Sequence, residues 1–324
     1  MTLAHPRYAY TRGLHELGRG AYAYLQPDGS WGWSNAGLVV DAGESLLVDT
    51  LFDRRLTGEM LVAMRAAEPH AAARIGTLVN THSNGDHTFG NVLVEGAEIV
   101  ATEACAEEMA HEGGPSPLLA FQKRAPELGA LGAYALHCFG AFRFDDVELR
   151  LPTRTFTGQL ELPVGQKRVR LLQVGPAHTR GDLLVHVPGD RVVFTGDILF
   201  IEGTPILWSG PVANWIEACR RIEAMDVEAV VPGHGPITDR RGAAAVRGYL
   251  EYVSAEARKR FDAGLSARDA AFDIALGDYS AWGDAERIAV NVATLYREFS
   301  GDAQRADVAA LFGVMAELYG QRRH

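Results

Sequence analysis

The sequence predicts an α+β chain with two sheets and helices outside them. Three observations carry that reading. Predicted elements run strands, helix, strand, helix, strands, helix, strand, helices, which suits two sheets better than one parallel sheet. The strands are short apolar runs punctuated by turn residues. The composition, 47% apolar and 22% charged over 324 residues, is that of a globular chain able to bury a large core.

Tyr22 to Leu25 alternates, and Pro27-Asp28-Gly29 then signals a turn. Ala36 to Val40 and Ser45 to Val48 are apolar runs that read as strands. Residues 53–67 place Leu56, Met60, Leu61 and Met64 at helical spacing. Ile75 to Val79 reads as a buried strand, and 103–111 as a helix. Residues 113–143 open on a Gly-Gly-Pro-Ser-Pro break and continue with many apolar residues and few charges. They form either a lid over one edge of the core or a plain packing helix pair. Strands return at Val147 to Leu151, Gly158 to Leu162, Val169 to Val174, Leu183 to Val187 and Val192 to Thr195, with Pro188-Gly189-Asp190 as a hairpin turn. A helix at 211–225 leads to the strand Ala229 to Val231. From residue 240 the pattern is helical. There Ile288, Val292, Leu295 and Phe299 make an apolar stripe, which either packs on the core or serves a homodimer. At roughly 150 residues per domain the length allows about two. The expected division is 1–240 and a helical extension, 241–324.

The net charge is −10, which argues against nucleic acid and an anionic membrane as main partners and leaves a small molecule. No apolar run is long enough to span a bilayer. MTLAHPRYAY lacks the basic and apolar regions of a signal peptide, so a cytoplasmic location is expected. Cys105, Cys138 and Cys219 are an odd set without a CxxC pair, in keeping with a reducing compartment. Arg exceeds Lys, and Ala and Gly abound, as in GC-rich bacterial genomes.

The chemistry sits at strand ends. Ile75 to Val79 runs into Thr81-His82-Ser83-Asn84-Gly85-Asp86-His87. Val169 to Val174 runs into His178, Val192 to Phe194 into Asp197, and Val227 to Val231 into His234. Imidazoles and carboxylates delivered from several strand ends are what a preformed metal site requires. Gly85, Gly196, Gly233 and Gly235 allow the tight turns that such loops need. Neutral imidazole with carboxylate and no thiolate suits zinc, iron or manganese.

This pattern resembles the metallo-β-lactamase fold hydrolases, with their H-x-H-x-D-H motif, a single later His, an Asp after a strand and a final His in a G-H-G turn. The resemblance spans roughly residues 20–240 and implies a four-layer αββα sandwich with a helical C-terminal extension. It also implies one or two divalent ions, zinc first. The first ion would sit on His82, His178 and position 84, and the second on Asp86, His87 and His234, with Asp197 bridging. Asp49 matches an early supporting Asp of the family. Position 84 departs from the motif, because Asn84 stands where the family has its second His. An amide oxygen is a weak ligand beside imidazole, so the first site should hold its ion less tightly.

The implied activity is hydrolysis of a small ester, thioester, lactone or lactam by a metal-activated water, with Asp86 or Asp197 accepting the proton. Alternatives on the same fold are diiron oxidoreductase chemistry and a non-hydrolytic lyase or cyclase. No nucleophile elbow, P-loop or dinucleotide fingerprint competes with it. Thr179, Asp182 and Thr195 adjoin ligand positions and are candidates to orient the imidazoles. Trp31, Trp33, Phe89, Phe200 and Trp208 are candidates for an apolar pocket. His137 is placed in the lid, and His111 and His324 are given no role.

Overall fold

The computed structural model describes residues 2–112, 114–302 and 307–322. Gly113 of the chain break and His324 lie outside them. The first sheet holds seven strands in chain order: β1 Gly13–Gly18, β2 Ala21–Leu25, β3 Ala36–Asp41, β4 Glu44–Val48, β5 Thr77–Val79, β6 Glu98–Thr102 and β7 Arg154–Phe156. Pairing is antiparallel from β1 to β4 and parallel from β4 to β7. The second sheet holds β8 Gln159–Val164, β9 Lys167–Gln173, β10 Leu183–Val187, β11 Val192–Phe194 and β12 Ala229–Val231, also in order. Its last pair, β11 and β12, is parallel.

Strand periodicity explains why two layers of core form. Successive side chains point to opposite faces. Val39, Leu46, Val48, Val79 and Val100 of the first sheet join Leu171, Val185, Val192 and Val231 of the second in one buried cluster between the sheets. Their neighbours Leu38, Leu47, Leu78, Leu184 and Val193 face outward into a second cluster beneath the helices. The layers are therefore helix, sheet, sheet, helix, the αββα arrangement.

The helices are α1 Arg54–Ala67, the single turn α2 Gly85–Thr88, α3 Glu103–Glu112, α4 Ser116–Arg124, α5 Gly129–Phe139, α6 Val212–Glu223, α7 Arg240–Asp262, α8 Ala267–Asp273, α9 Ile288–Ser300 and α10 Val308–Arg322. The Asp53 carboxylate caps α1 by accepting from Leu56 N–H at 2.7 Å. Ile288, Val292 and Leu295 are buried where α9 meets α7 and α8, so these three positions of the stripe pack in the core, while Phe299 is half-buried. Helix α5 buries Tyr134, Ala135, Cys138 and Phe139, whereas α4 buries no residue. Among the described residues no helix is long and apolar enough to cross a membrane.

Two expectations fail. Val147 to Leu151 has extended composition, but it pairs with no strand. Strands β1, β6 and β7 lie outside the runs that the sequence marks as strands, and the buried residues of β6 run into α3 with no turn residue between them.

Candidate metal centre

Strands β4 and β5 of the first sheet run parallel, as do β11 and β12 of the second. Strand β9 runs the same way as β11, with antiparallel β10 between them, so several strand ends meet at one edge of the sandwich. The chain leaves β4 at Asp49, β5 at Thr81 to His87, β9 at His178, β11 at Asp197 and β12 at His234. Each of the four histidines is at most 3% exposed. Gly196 turns its loop with φ +49°. Gly233 admits no side chain, because a Cβ there would lie 2.0 Å from Asp197 Oδ1.

Every Nδ1 is committed to a fixed partner. His87 Nδ1 donates to Asp49 Oδ2 at 3.0 Å, His178 Nδ1 to the Ile206 carbonyl at 2.7 Å and His234 Nδ1 to the Gly29 carbonyl at 3.1 Å. Thr81 Oγ1 donates to Asp49 at 2.7 Å, so His82 Nδ1, 3.0 Å from that hydroxyl, donates to it. All four Nε2 atoms are thereby left to face the centre. They lie 3.6 Å (His82), 3.1 Å (His87), 3.3 Å (His178) and 3.5 Å (His234) from the Asp197 carboxylate. Asp86 Oδ2 lies 3.2 Å from His234 Nε2 and 4.0 Å from His87 Nε2.

The structure forms two groups from these residues. Ligating atoms of Asp86, His87 and His234 lie within 4.8 Å of one another, as do those of His82, His87 and Asp197. His178 Nε2 lies 3.3 Å from Asp197 and 2.8 Å from Asn84 Oδ1. His82, Asn84 and His178 are the first grouping that the sequence motif implied, and within it Asn84 meets His178 directly. The buried His82 Nε2, His87 Nε2 and Asp197 Oδ1 have no hydrogen-bond partner. Buried polar atoms without partners are costly, and a cation at their centre would satisfy all three. The donor set therefore fits a divalent ion.

The electrostatics agree. Burial opposes charge on Asp197, yet the surrounding His234, His87 and His82 hold its carboxyl well below the usual range. Burial pushes the His82 and His178 imidazoles down, which keeps them neutral. Burial would also lower His87, but the nearby Asp197 and Asp86 carboxylates and the hydrogen bond to Asp49 carry it well above its ordinary value.

The residues beside the ligands act differently from expectation. Thr179 donates to Asp182 from both N–H and Oγ1–H, which closes their own loop, and Thr195 Oγ1 donates to the Gly196 and Val231 carbonyls. None of these three orients an imidazole. Asp49, Thr81 and the carbonyls of Gly29 and Ile206 do so instead. Sequence reasoning anticipated Asp49 alone and missed Thr81 and the two backbone carbonyls, which carry no residue signature.

The centre forms the floor of a cavity of about 910 Å³, which Asn84, Asp86, His178, Asp197 and His234 line. Trp31, Phe89, Phe200 and Trp208 are on its walls as expected. Trp33 is not, because it packs on Phe142 at 4.8 Å. Phe52, Phe139, Phe312, Arg287 and His111 also line it, although the sequence singled out none of them for the site. His137 stacks on Tyr319 at 4.6 Å.

Comparison with known proteins places the architecture. Residues 29–234 match the model of the metallo-beta-lactamase superfamily. The chain is 26% identical over 216 residues to the acyl-coenzyme A thioesterase MBLAC2 of Bos taurus, covering 62% of this chain and 72% of that protein. It is also 26% identical over 216 residues to the hydroxyacylglutathione hydrolase of Methylococcus capsulatus, covering 64% and 68%. Among solved structures, the sec-alkylsulfatase Pisa1 from Pseudomonas sp. superposes with a TM-score of 0.67 at 16% identity, over 90% of this chain and 50% of that one. The match over residues 29–234 and the αββα layers make this chain a member of the metallo-beta-lactamase superfamily, a metallo-hydrolase whose fold implies a divalent metal.

Proposed function

We propose that this protein hydrolyses a small ester, thioester, lactone or lactam, with His82, Asn84, Asp86, His87, His178, Asp197 and His234 around the metal. The observation that carries the reading is the convergence of four Nε2 atoms on Asp197 at the floor of an apolar-walled cavity. A divalent ion held there, zinc before iron or manganese, supplies a water of pKa lowered from 15.7 to about 7 and polarises the substrate oxygen. The two hydrolase relatives support an acyl-transfer substrate.

The chain's own residues do the rest. Asp49, Thr81 and two carbonyls hold each imidazole in one tautomer, so no reorganisation is needed when substrate arrives. Asp86, with a side chain 14% exposed, faces the cavity more openly than Asp197 at 4%. Either carboxylate can accept the proton that the attacking water loses, Asp86 Oδ2 with the freer approach. Aromatic walls exclude water from the reacting bond.

Asn84 sets the metal stoichiometry. Its amide meets His178, and a turn of that amide lets Nδ2–H donate to the Nε2 lone pair, which withdraws His178 from a ligand set. Asp86, His87, His234 and Asp197 then hold the one tight ion. The three cysteines are buried and unpaired, which supports a cytoplasmic setting. Residues 241–324 are read as an extension of the catalytic unit 1–240, and 114–143 as a segment covering the cavity edge.

The test is hydrolysis of a panel of p-nitrophenyl esters, acyl thioesters, a γ-lactone and a β-lactam, before and after chelation. Turnover that chelation abolishes and zinc restores supports the proposal. Metal-loaded protein that turns over no member contradicts it.

A further inference from the structure

Part of the cavity wall, including Arg287, Val308 and Phe312, comes from the chain beyond the residues that match the family, 29–234. Phe312 and Val308 lie four residues apart on α10, hence on one helix face, and both line the cavity. Phe312 packs on Trp31 at 5.6 Å and on Phe139 at 5.8 Å, and Trp31 meets Phe139 at 5.9 Å. The three rings form a closed aromatic triangle. Its position is fixed, because Arg287 lies over the Trp31 ring at 4.5 Å and Trp31 Nε1 donates to Glu286 at 3.4 Å. Leu118 of α4 lines the same cavity and packs against the apolar core.

Val308 supplies the second, independent observation. It is 49% exposed, one of four large apolar side chains left open to solvent among the described residues, and it sits on the cavity wall. An aliphatic side chain held open beside an aromatic triangle suits an apolar ligand, because water gains nothing from that surface.

We infer that Trp31, Phe139, Val308 and Phe312 form a subsite for an extended apolar acyl group, and that α10 therefore sets chain-length selectivity. The inference rests on the acyl-hydrolase reading and names the part of the substrate that the reading leaves open. The subsite is sequence-tolerant in chemistry but not in size. Each methylene moved from water into it is worth about a fourfold gain in binding. Phe312 and Val308 are specificity residues, since they approach the acyl chain and not the reacting carbonyl.

Equilibrium binding tests this without turnover. Acetate, octanoate and decanoate are titrated into the metal-loaded full chain, with tryptophan fluorescence as readout. The expected result is decanoate bound at least about 100-fold more tightly than acetate. Phe312→Ala and Val308→Glu should each cut that ratio about tenfold or more, with metal content unchanged. Val308→Glu alters an open side chain, so it remains informative if Phe312→Ala fails to fold. Decanoate bound no better than acetate, or both variants keeping the wild-type ratio, would overturn the inference. Tight, chain-length-dependent binding without hydrolysis of any ester or thioester would leave the subsite standing and remove the hydrolase reading. Hydrolysis of acetyl esters with no chain-length dependence would do the reverse.

Discussion

Asp49 Oδ2 lies 3.0 Å from His87 Nδ1, and the same carboxylate accepts from Thr81 N–H and Oγ1–H at 2.7 Å each. One buried carboxylate thus orients His87 directly and His82 through the Thr81 hydroxyl. Asp49 does so from a left-handed backbone, φ 60°, a conformation that costs energy for a residue with a side chain and recurs at functional sites. Asp49→Asn keeps the shape but leaves one side of the amide unable to accept. The variant should bind zinc about 10–100-fold more weakly, as for other partners that orient a metal-bound imidazole. Competition against a chromogenic chelator checks this, with circular dichroism to show that the fold is retained.

Metal uptake should release a proton. Burial alone would lower the His87 pKa, yet the nearby Asp197 and Asp86 carboxylates and the hydrogen bond to Asp49 hold it well above its ordinary value. The expected consequence is a proton on His87 in the metal-free chain at neutral pH, which the ion must displace. Zinc affinity should rise with pH until His87 deprotonates in the free protein, and fall tenfold per pH unit below that point for each proton displaced. Calorimetry in buffers of different ionisation enthalpy counts the protons. A proton count of zero at neutral pH would show that His87 is already neutral.

The Gly233 backbone lies against Asp197, where an added Cβ would approach Oδ1 to 2.0 Å and Gly196 C to 2.7 Å. Gly233→Ala must push the Asp197 loop away. It should cost about 1–3 kcal/mol of stability, the range for overpacking a tight site, seen as a lower urea midpoint. Metal retention should drop with it, because Asp197 is the carboxylate on which all four imidazoles converge. Gly58→Ala serves as a comparison, since a Cβ there meets nothing within 4 Å and its backbone is not left-handed.

Much of this centre is legible in the sequence because its ligands are local signals. His82, Asn84, Asp86 and His87 fall within six residues, and His178, Asp197 and His234 each follow an apolar run. Their supports are less legible. Asp49 and His87 are 38 positions apart, and the partners of His178 and His234 are backbone carbonyls. The cavity walls are harder still. Phe312 meets Trp31 across most of the chain, and no periodicity announces such a contact. Fold class follows from element order, but individual strands do not all follow. Strand β6 is short, buried and fused to α3, whereas 147–151 is apolar yet unpaired. Strand formation depends on a ladder partner as much as on composition.

The most direct measurement of the central claim is metal content per chain by elemental analysis, wild type beside Asn84→His, both purified without added metal. The account predicts about one tightly held ion in the wild type, on Asp86, His87, His234 and Asp197, because a neutral amide beside His178 is a poor ligand. It predicts two in the variant, where a third imidazole completes the set with His82 and His178. Two ions already in the wild type, or none in either protein after exposure to zinc, would contradict it.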